Sequence, residues 1–491
     1  MKVIPFIYCI IKRCKNTKKV PAKRCKKIQK VPIKRCKNID KLKILYYYEL
    51  KEVKMKRKIY SKLLEWKNMG MEKPLMVIGA RQTGKTYIIE KFCKENFKNY
   101  IKINLLDSPN IVELYKRKIS SEEKYIKMCA MLNIKINLEN TVIFFDEIQE
   151  SEELISLLKW YCEDKRPFKI ICAGSLLGVK LNRFHSSFPV GKVRMIDLYP
   201  MDFEEFLWAT NANGEYLAKY IKECYDSDKA MDEELHNLLL DIYRKYLCIG
   251  GMPEAVKDFK KANLNIVEYD NQNLRDIIKS YIKDMNKYVK SKIEATKNER
   301  VYNSIPTQIG NKSNKFQYSK IIQGKKAKSR DYESSIDWLT SSRMIYKCCL
   351  LNDIQIPPEA FKNENFFKLY ASDVGILTSL LNINYNEIYL DNAFIYKGNI
   401  VENYVAEQLF ANEVNLYYWF PTSSEEIDFI IYNDDGIIPI EVKSSDNTQS
   451  KSLKSYASKY KPKYSIRISS KNFGFNNNIK SVPLYATFLV K

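Results

Sequence analysis

The stretch that most constrains this chain is Gly79-Ala80-Arg81-Gln82-Thr83-Gly84-Lys85-Thr86, which sets glycines, a lysine and a hydroxyl at the spacing of a phosphate-binding loop. Its flanks fit the motif: Pro74 to Ile78 reads as a short buried strand, and Thr86 to Phe92 as a helix with an apolar face. The glycines let the backbone curl so that successive N–H groups, from Gly79 to Gly84, and the helix N-terminus point at one polyphosphate. Lys85 then holds the outer phosphates as a point charge, and Thr86 offers its hydroxyl to Mg²⁺. The bland alternative is a glycine turn beside an exposed lysine, which does not need those flanks.

The first half alternates strand and helix patterns, as a doubly wound parallel α/β sheet requires. Tyr100 to Leu105 is a second strand, and 111–132 supplies helices. Thr141 begins an apolar run, Val142 to Phe145, that leads into Asp146 and Glu147. A strand buried on both faces is continuously apolar and presents ligand groups at its carboxyl end. Asp146 is therefore the expected Mg²⁺ partner, acting through coordinated water, and Glu147 the group that orients or deprotonates an attacking water. Without the loop upstream, two acids after a strand would read as a helix N-terminus.

Phe168 to Cys172 is a further buried strand leading to Ser175, which either contacts the terminal phosphate or the attacking water or simply caps a helix. Val193 to Leu198 is a fifth strand. Asp202 or a neighbour then caps the first helix of a lid that continues to about Asp258. Lys192 and Arg194 are either solvated or a charge-stabilising finger into a neighbouring subunit of a homo-oligomer.

The +24 formal charge suggests a polyanion partner until it is mapped. Residues 1–54 hold 18 Lys/Arg and 3 Asp/Glu, +15 of the total, in an eleven-residue repeat around Lys12-Arg13-Cys14-Lys15, Lys23-Arg24-Cys25-Lys26 and Lys34-Arg35-Cys36-Lys37. A polyanion-binding tail, a cysteine metal site and sequence upstream of the functional start compete here. Single cysteines disfavour the metal, and the helical run opening at Met55 favours the last. The apolar opening Val3 to Ile11 is too short for a membrane span, so a cytoplasmic protein is expected. Cys93 to Cys349 lie in apolar stretches and read as buried free thiols. Two histidines, His185 and His236, exclude His-rich zinc sites.

Residues 263–297 read as a polar helical connector. Beyond them a basic turn, Lys325 to Arg330, precedes a helix over 331–344 and a strand over 345–351, the order of a winged helix. Such a module either touches DNA phosphates or packs against protein. In the last quarter, Ile400 to Leu409 is an amphipathic helix, and Leu416 to Phe420, Glu426 to Ile431 and Ile437 to Lys443 are strands. The period of two puts Glu441 and Lys443 on one face, where Asp428 of the neighbouring strand can meet them, with Glu402 available from the helix. Carboxylates of this kind hold Mg²⁺, and a lysine beside the metal suits phosphodiester hydrolysis. The alternative is a cross-strand salt bridge.

These residues resemble a known family: prokaryotic AAA-superfamily ATP-binding proteins whose C-terminal half is a domain of unknown function ending in a PD-(D/E)XK nuclease-like fold. The matching stretches run from GARQTGKT, VIFFDEIQE and AGSLLG through SFPVGKV, LYPMDFEEFL, GGMPEAV and KLYASDVGIL to VENYVAEQL, EIDFII and PIEVKSS. The resemblance implies ATP as the nucleotide at Lys85, Thr86, Asp146 and Glu147, and a nuclease-like signature at Glu402, Asp428, Glu441 and Lys443. The implied fold is a P-loop AAA-type domain over 55–200, a helical lid over 201–262, a helical connector over 263–298, a winged-helix module over 299–362 and a restriction-endonuclease-like α/β domain over 363–491. Two functions fit: an Mg²⁺-dependent ATPase controlling a nuclease-like domain, or a nucleotide-gated switch whose C-terminal fold only recognises a partner.

Overall fold

A computed structural model describes residues 55–69, 73–135, 139–164, 168–175, 177–182, 188–289, 291–309, 315–322, 327–390, 396–422, 425–444 and 451–491. All of them belong to the second of the chain's two units, Lys54–Lys491. The basic head, His185, and Lys325 and Lys326 of the basic turn lie outside the described residues.

The unit begins with helix α1 (Ile59–Asn68), followed by β1 (Leu75–Ile78), α2 (Lys85–Asn96), β2 (Asn99–Asn104), α3 (Pro109–Lys116), α4 (Ser121–Met131), β3 (Thr141–Asp146), α5 (Glu152–Glu163), β4 (Phe168–Gly174), α6 (Leu177–Asn182) and β5 (Arg194–Asp197). The five strands form a parallel sheet in the order β2-β3-β4-β1-β5. Every residue of β1 and β3 is buried because helices cover both faces. Met76, Ile78, Ile143 and Phe145 pack on one side, and Leu75, Val77, Val142 and Phe144 on the other. The strand order inserts β4 between the loop strand and the acidic strand, so three carboxyl ends open on one crevice.

Four lid helices follow: α7 (Phe203–Thr210), α8 (Gly214–Ser227), α9 (Glu233–Ile249) and α10 (Pro253–Lys261). Asp202 caps α7, accepting the Glu205 amide at 2.9 Å. Next come α11 (Gln272–Lys287), α12 (Lys292–Ile309) and α13 (Glu333–Ser341). The expected polar connector is corrected by α11, which buries Leu274, Ile277, Tyr281, Asp284 and Met285. Their spacing is a helical stripe, diluted in the sequence by the charged face around it.

The C-terminal region contains β6 (Ile345–Leu351), β7 (Lys362–Ala371), α14 (Val374–Leu381), α15 (Tyr385–Tyr389), α16 (Lys397–Ala411), β8 (Tyr417–Thr422), β9 (Glu425–Asn433), β10 (Gly436–Val442), α17 (Lys451–Tyr460), β11 (Ser465–Ser469), β12 (Gly474–Asn476) and β13 (Ile479–Pro483). They build one mixed eight-stranded sheet, β12-β13-β11-β10-β9-β8-β6-β7. The division expected between 362 and 363 therefore falls at the start of β7, inside the β6–β7 pair. β6 also pairs in parallel with β8, Cys349 opposite Tyr417 and Leu350 opposite Tyr418. An apolar strand with an open edge is satisfied by joining the larger sheet.

The lid and this region share a core, and a buried carboxylate pins the seam. Asp373 Oδ1 accepts the Ile376 amide at 2.9 Å, capping α14, and Oδ2 accepts the Gly251 amide at 2.6 Å. Gly250 has φ +71°, and a Cβ there would lie 2.2 Å from Asp373 Oδ1, so the lid segment must be glycine to approach so closely. Nearby, Gln408 of α16 accepts the Phe203 amide at 2.9 Å.

Six of the eight described cysteines are buried thiols, while Cys162 and Cys349 are half-buried. His236 is a packing residue, with Nδ1 2.8 Å from the Tyr485 hydroxyl.

Burial raises the Asp373 carboxyl to about 6 against the pull of its amide donors. The folded protein thus holds this proton in a window, roughly pH 4 to 6, where the unfolded chain releases it, so ionising Asp373 costs stability as pH rises through the window. Asp373→Ala removes a cap and strands a buried amide. It is expected to destabilise the unit by about 2–4 kcal/mol and flatten that pH slope, as read by urea unfolding at pH 4.5 and 7.

Candidate functional site

The loop leaves β1 at Gly79, where a Cβ would sit 2.2 Å from the Leu198 carbonyl at the exit of β5. Gln82 and Gly84 take left-handed backbone, φ +65° and +89°, to turn the chain into α2. Gly84 precedes the helix with no side-chain cap, which leaves the first-turn amides to face the concavity of the loop. Thr83 Oγ1 donates to the Ala80 carbonyl at 2.9 Å and closes the curl.

Lys85 folds back over the loop, its Nζ donating to Gly79 O at 2.8 Å and Ala80 O at 2.6 Å. Burial pulls this ammonium down to about 8, although Glu147 and Asp146 oppose the shift. Thr86 Oγ1 meets the Asp146 carboxylate at 3.0 and 3.2 Å. Lys102 Nζ approaches Asp146 from β2 at 3.4 Å. Burial raises the Asp146 carboxyl, while the Thr86 hydroxyl pulls it back. A hydroxyl and a carboxylate side by side at the loop mouth are the hard oxygen donors that suit Mg²⁺, so this donor set fits the ion.

Glu147 has left-handed backbone, φ +54°, and accepts from Gln149 Nε2 at 2.5 Å. Gln149 Oε1 is buried without a hydrogen bond and faces Gly174, where a Cβ would lie 2.3 Å away. Ser175 is buried immediately after β4, the strand between β1 and β3. Lys192 pairs with Glu163 at 3.0 Å, and Arg194 donates to the Met69 sulfur.

Sequence reasoning missed the residues that brace this loop. Arg57 is buried, with Nε 2.9 Å from Glu205, Nη1 2.8 Å from the Thr83 carbonyl and Nη2 2.6 Å from the Tyr199 carbonyl. From α11, Asp284 pairs with Arg81 and Tyr281 donates to the Arg81 carbonyl at 3.3 Å. No local signal marks Arg57 among the basic residues after Met55, but the apolar stripe of α11 could have exposed Asp284.

The acids expected at the second site divide. The β9–β10 register runs as far as Ile440 opposite Phe429, one residue short of Glu441 and Asp428, and Asp428 Oδ2 accepts the Val442 amide at 2.7 Å. Lys443 Nζ lies 2.8 Å from Glu441 Oε1. Glu402 has donors of its own: its Oε1 takes Lys368 Nζ at 2.9 Å and the Tyr370 hydroxyl at 2.6 Å. Lys368 also reaches Glu426 at 2.6 Å. Burial, then the Glu402 charge, raises the Asp428 carboxyl. Among the described residues no three His, Cys, Asp or Glu side chains are grouped to hold a metal, and Glu441 Oε2 is buried without a hydrogen bond.

Residues 71–207 match a family described as an AAA domain, 240–387 a domain of unknown function, DUF8612, and 397–487 another, DUF4143. Among solved structures the chain is similar to a Walker-type ATPase of Pyrococcus abyssi, at 17% identity over 67% of this chain and 96% of that one, TM-score 0.41. It is also similar to the Aeropyrum pernix ORC2 protein, at 10% identity over 70% and 92%, TM-score 0.33. A third is the Thermotoga maritima RuvB Holliday junction branch migration motor, at 16% identity over 59% and 89%, TM-score 0.27. No curated protein matches. The match over 71–207, the loop motif and its geometry together make the N-terminal part an AAA-type ATP-binding domain. Among the described residues no helix is long and apolar enough to cross a membrane.

Because nucleotide-free Lys85 loses its proton as pH rises through about 8, ATP affinity is expected to fall between pH 7 and 9. Binding at pH 8 should take up protons, since phosphates favour the ammonium. Calorimetry in buffers of different ionisation enthalpy checks this, and binding without proton uptake contradicts it.

Proposed function

We propose that this protein is an Mg²⁺-dependent ATPase whose nucleotide state controls a C-terminal nuclease-like domain acting on nucleic acid. The observation that carries the first half is the Thr86–Asp146 contact at the mouth of a loop whose lysine donates to the backbone carbonyls of Gly79 and Ala80. Lys85 exchanges those carbonyls for the outer phosphates of ATP, where its charge counts most as the terminal phosphoryl group departs. Thr86 and Asp146 would hold Mg²⁺, which when bound would supply charge neutralisation of the phosphates. Glu147, one residue past the buried strand, orients or deprotonates the attacking water, and Gln149 holds it until then. Ser175 reads the terminal phosphate from β4.

Two connections support control. Arg81 and Gln82 of the loop meet Asp284 and Ser280 of α11. Pro253 lies beside Gly84, where a Cβ would come 3.5 Å from its Cγ, while Gly251, two residues earlier, donates to Asp373 just beyond β7. A phosphate in the loop competes for Arg81 and so changes what holds α11. In this reading residues 299–362 touch DNA, in a cytoplasmic and homo-oligomeric protein.

A second reading is a nucleotide-gated switch whose C-terminal domain recognises a partner without cutting it. The engagement of Glu402 by Lys368 and Tyr370 favours it.

Glu147→Gln is expected to keep ATP binding and lower turnover by about 10²- to 10⁴-fold, whereas Lys85→Ala loses both. A Lys85→Ala protein hydrolysing ATP at the wild-type rate would end the assignment. Plasmid and linear DNA incubated with Mg²⁺ or Mn²⁺, with and without ATP, separate the two readings. Cutting that disappears in Asp428→Ala and Lys443→Ala supports the nuclease, and no cutting under any condition supports the switch.

A further inference from the structure

A charged side chain taken out of water must find its counter-charge nearby, and the C-terminal site encloses a lysine. Lys368, on β7, is only 14% exposed, with Nζ 2.9 Å from Glu402 and 2.6 Å from Glu426. Its ammonium also lies 5.2 Å from the centre of the Tyr418 ring. Tyr370, two residues on, donates to the same Glu402 oxygen that Lys368 holds. Asp428 stands two residues beyond Glu426 on β9, hence on the same face, and its charge also bears on Lys368. Glu402 and Glu426 both lie within ion-pair distance, so the buried ammonium meets two counter-charges.

Of the other acids, Glu441 pairs with Lys443 through Oε1 while its Oε2 is buried without a hydrogen bond, and Asp428 accepts the Val442 amide. Carboxylates that would gather around a divalent ion are thus shared among two ammonium groups, a phenol and a main-chain amide. A divalent ion entering beside Lys368 would meet a fixed positive charge and find the nearest Glu402 oxygen taken.

We infer that Lys368 is the resident cation of this acidic site: its ammonium stands in the place of a divalent metal ion and keeps one from binding while Lys368 remains there. The inference goes beyond the proposed function, because it concerns what the site binds and holds whether or not the domain cuts DNA.

The test is Mn²⁺ binding to the full chain, followed by the electron paramagnetic resonance signal of free Mn²⁺, without nucleotide and with Asp146→Asn to remove the loop's carboxylate. With Lys368 intact, no binding that depends on Glu402 or Asp428 is expected. Mn²⁺ bound there, and lost in Asp428→Asn, would overturn the inference however the lysine variants fold. Lys368→Met should gain a site at least about tenfold tighter, lost again on adding Glu402→Gln, and Mn²⁺ should raise its unfolding midpoint. Lys368→Arg keeps the charge and should remain metal-free. Lys368→Gln serves if the methionine variant does not fold, and a folded Met or Gln variant with no gain in Mn²⁺ affinity also overturns the inference. Cleavage enters none of these readouts, so their failure is separable from failure of the nuclease reading.

Discussion

The guanidinium of Arg57 is the interaction on which the nucleotide end of this molecule depends. One planar group with fixed donor geometry meets the lid acid Glu205, the Thr83 carbonyl in the loop and the Tyr199 carbonyl beyond β5. Three segments far apart in sequence are thereby held at one point. Burying such a charge brings little net stability, because desolvation consumes most of the attraction. Losing one partner is costly, since the other charge is then stranded. Its value lies in position: the loop cannot shift without disturbing the start of α1 and the lid.

The second sheet depends on a similar economy. Asp373 joins the lid to α14 through two backbone amides, and Gly250 leaves the space that contact needs. The same strand that leads to Asp373 carries Lys368 and Tyr370 into the acidic site, and Asn403 of α16 exchanges two hydrogen bonds with Ala371 at its end. Strand β7 is therefore held at one end by the lid seam and along its length by the acids. The seam and Lys368 are thereby joined by one continuous strand.

The loop, the acidic strand and the paired strands near the C-terminus were all legible in the sequence, because each is local. A phosphate loop is eight consecutive residues, and β3 is a single apolar run ending in Asp146. The Asp202 cap could be read the same way. What could not be read was every contact requiring two distant segments. Asp284 belongs to a helix whose charged face masked its apolar stripe. β6 looked like part of a separate module because nothing in its residues says that β8 completes its edge. Glu402 could be placed on a helix beside Asp428 and Glu441, but not its engagement by Lys368, a residue without any local motif.

By itself, then, the sequence determined the strand–loop–helix unit, the residue types that meet a phosphate and the alternation that puts Glu441 and Lys443 on one face. Periodicity and turn chemistry act over a few residues and are written in order along the chain. Only the tertiary structure decided which buried charges face one another: Arg57 with Glu205, Asp284 with Arg81, and Lys368 with Glu402 and Glu426. Those pairings follow from how helices and sheets pack. A charge removed from water is satisfied by whichever partner the fold brings within reach, not by its neighbour in sequence.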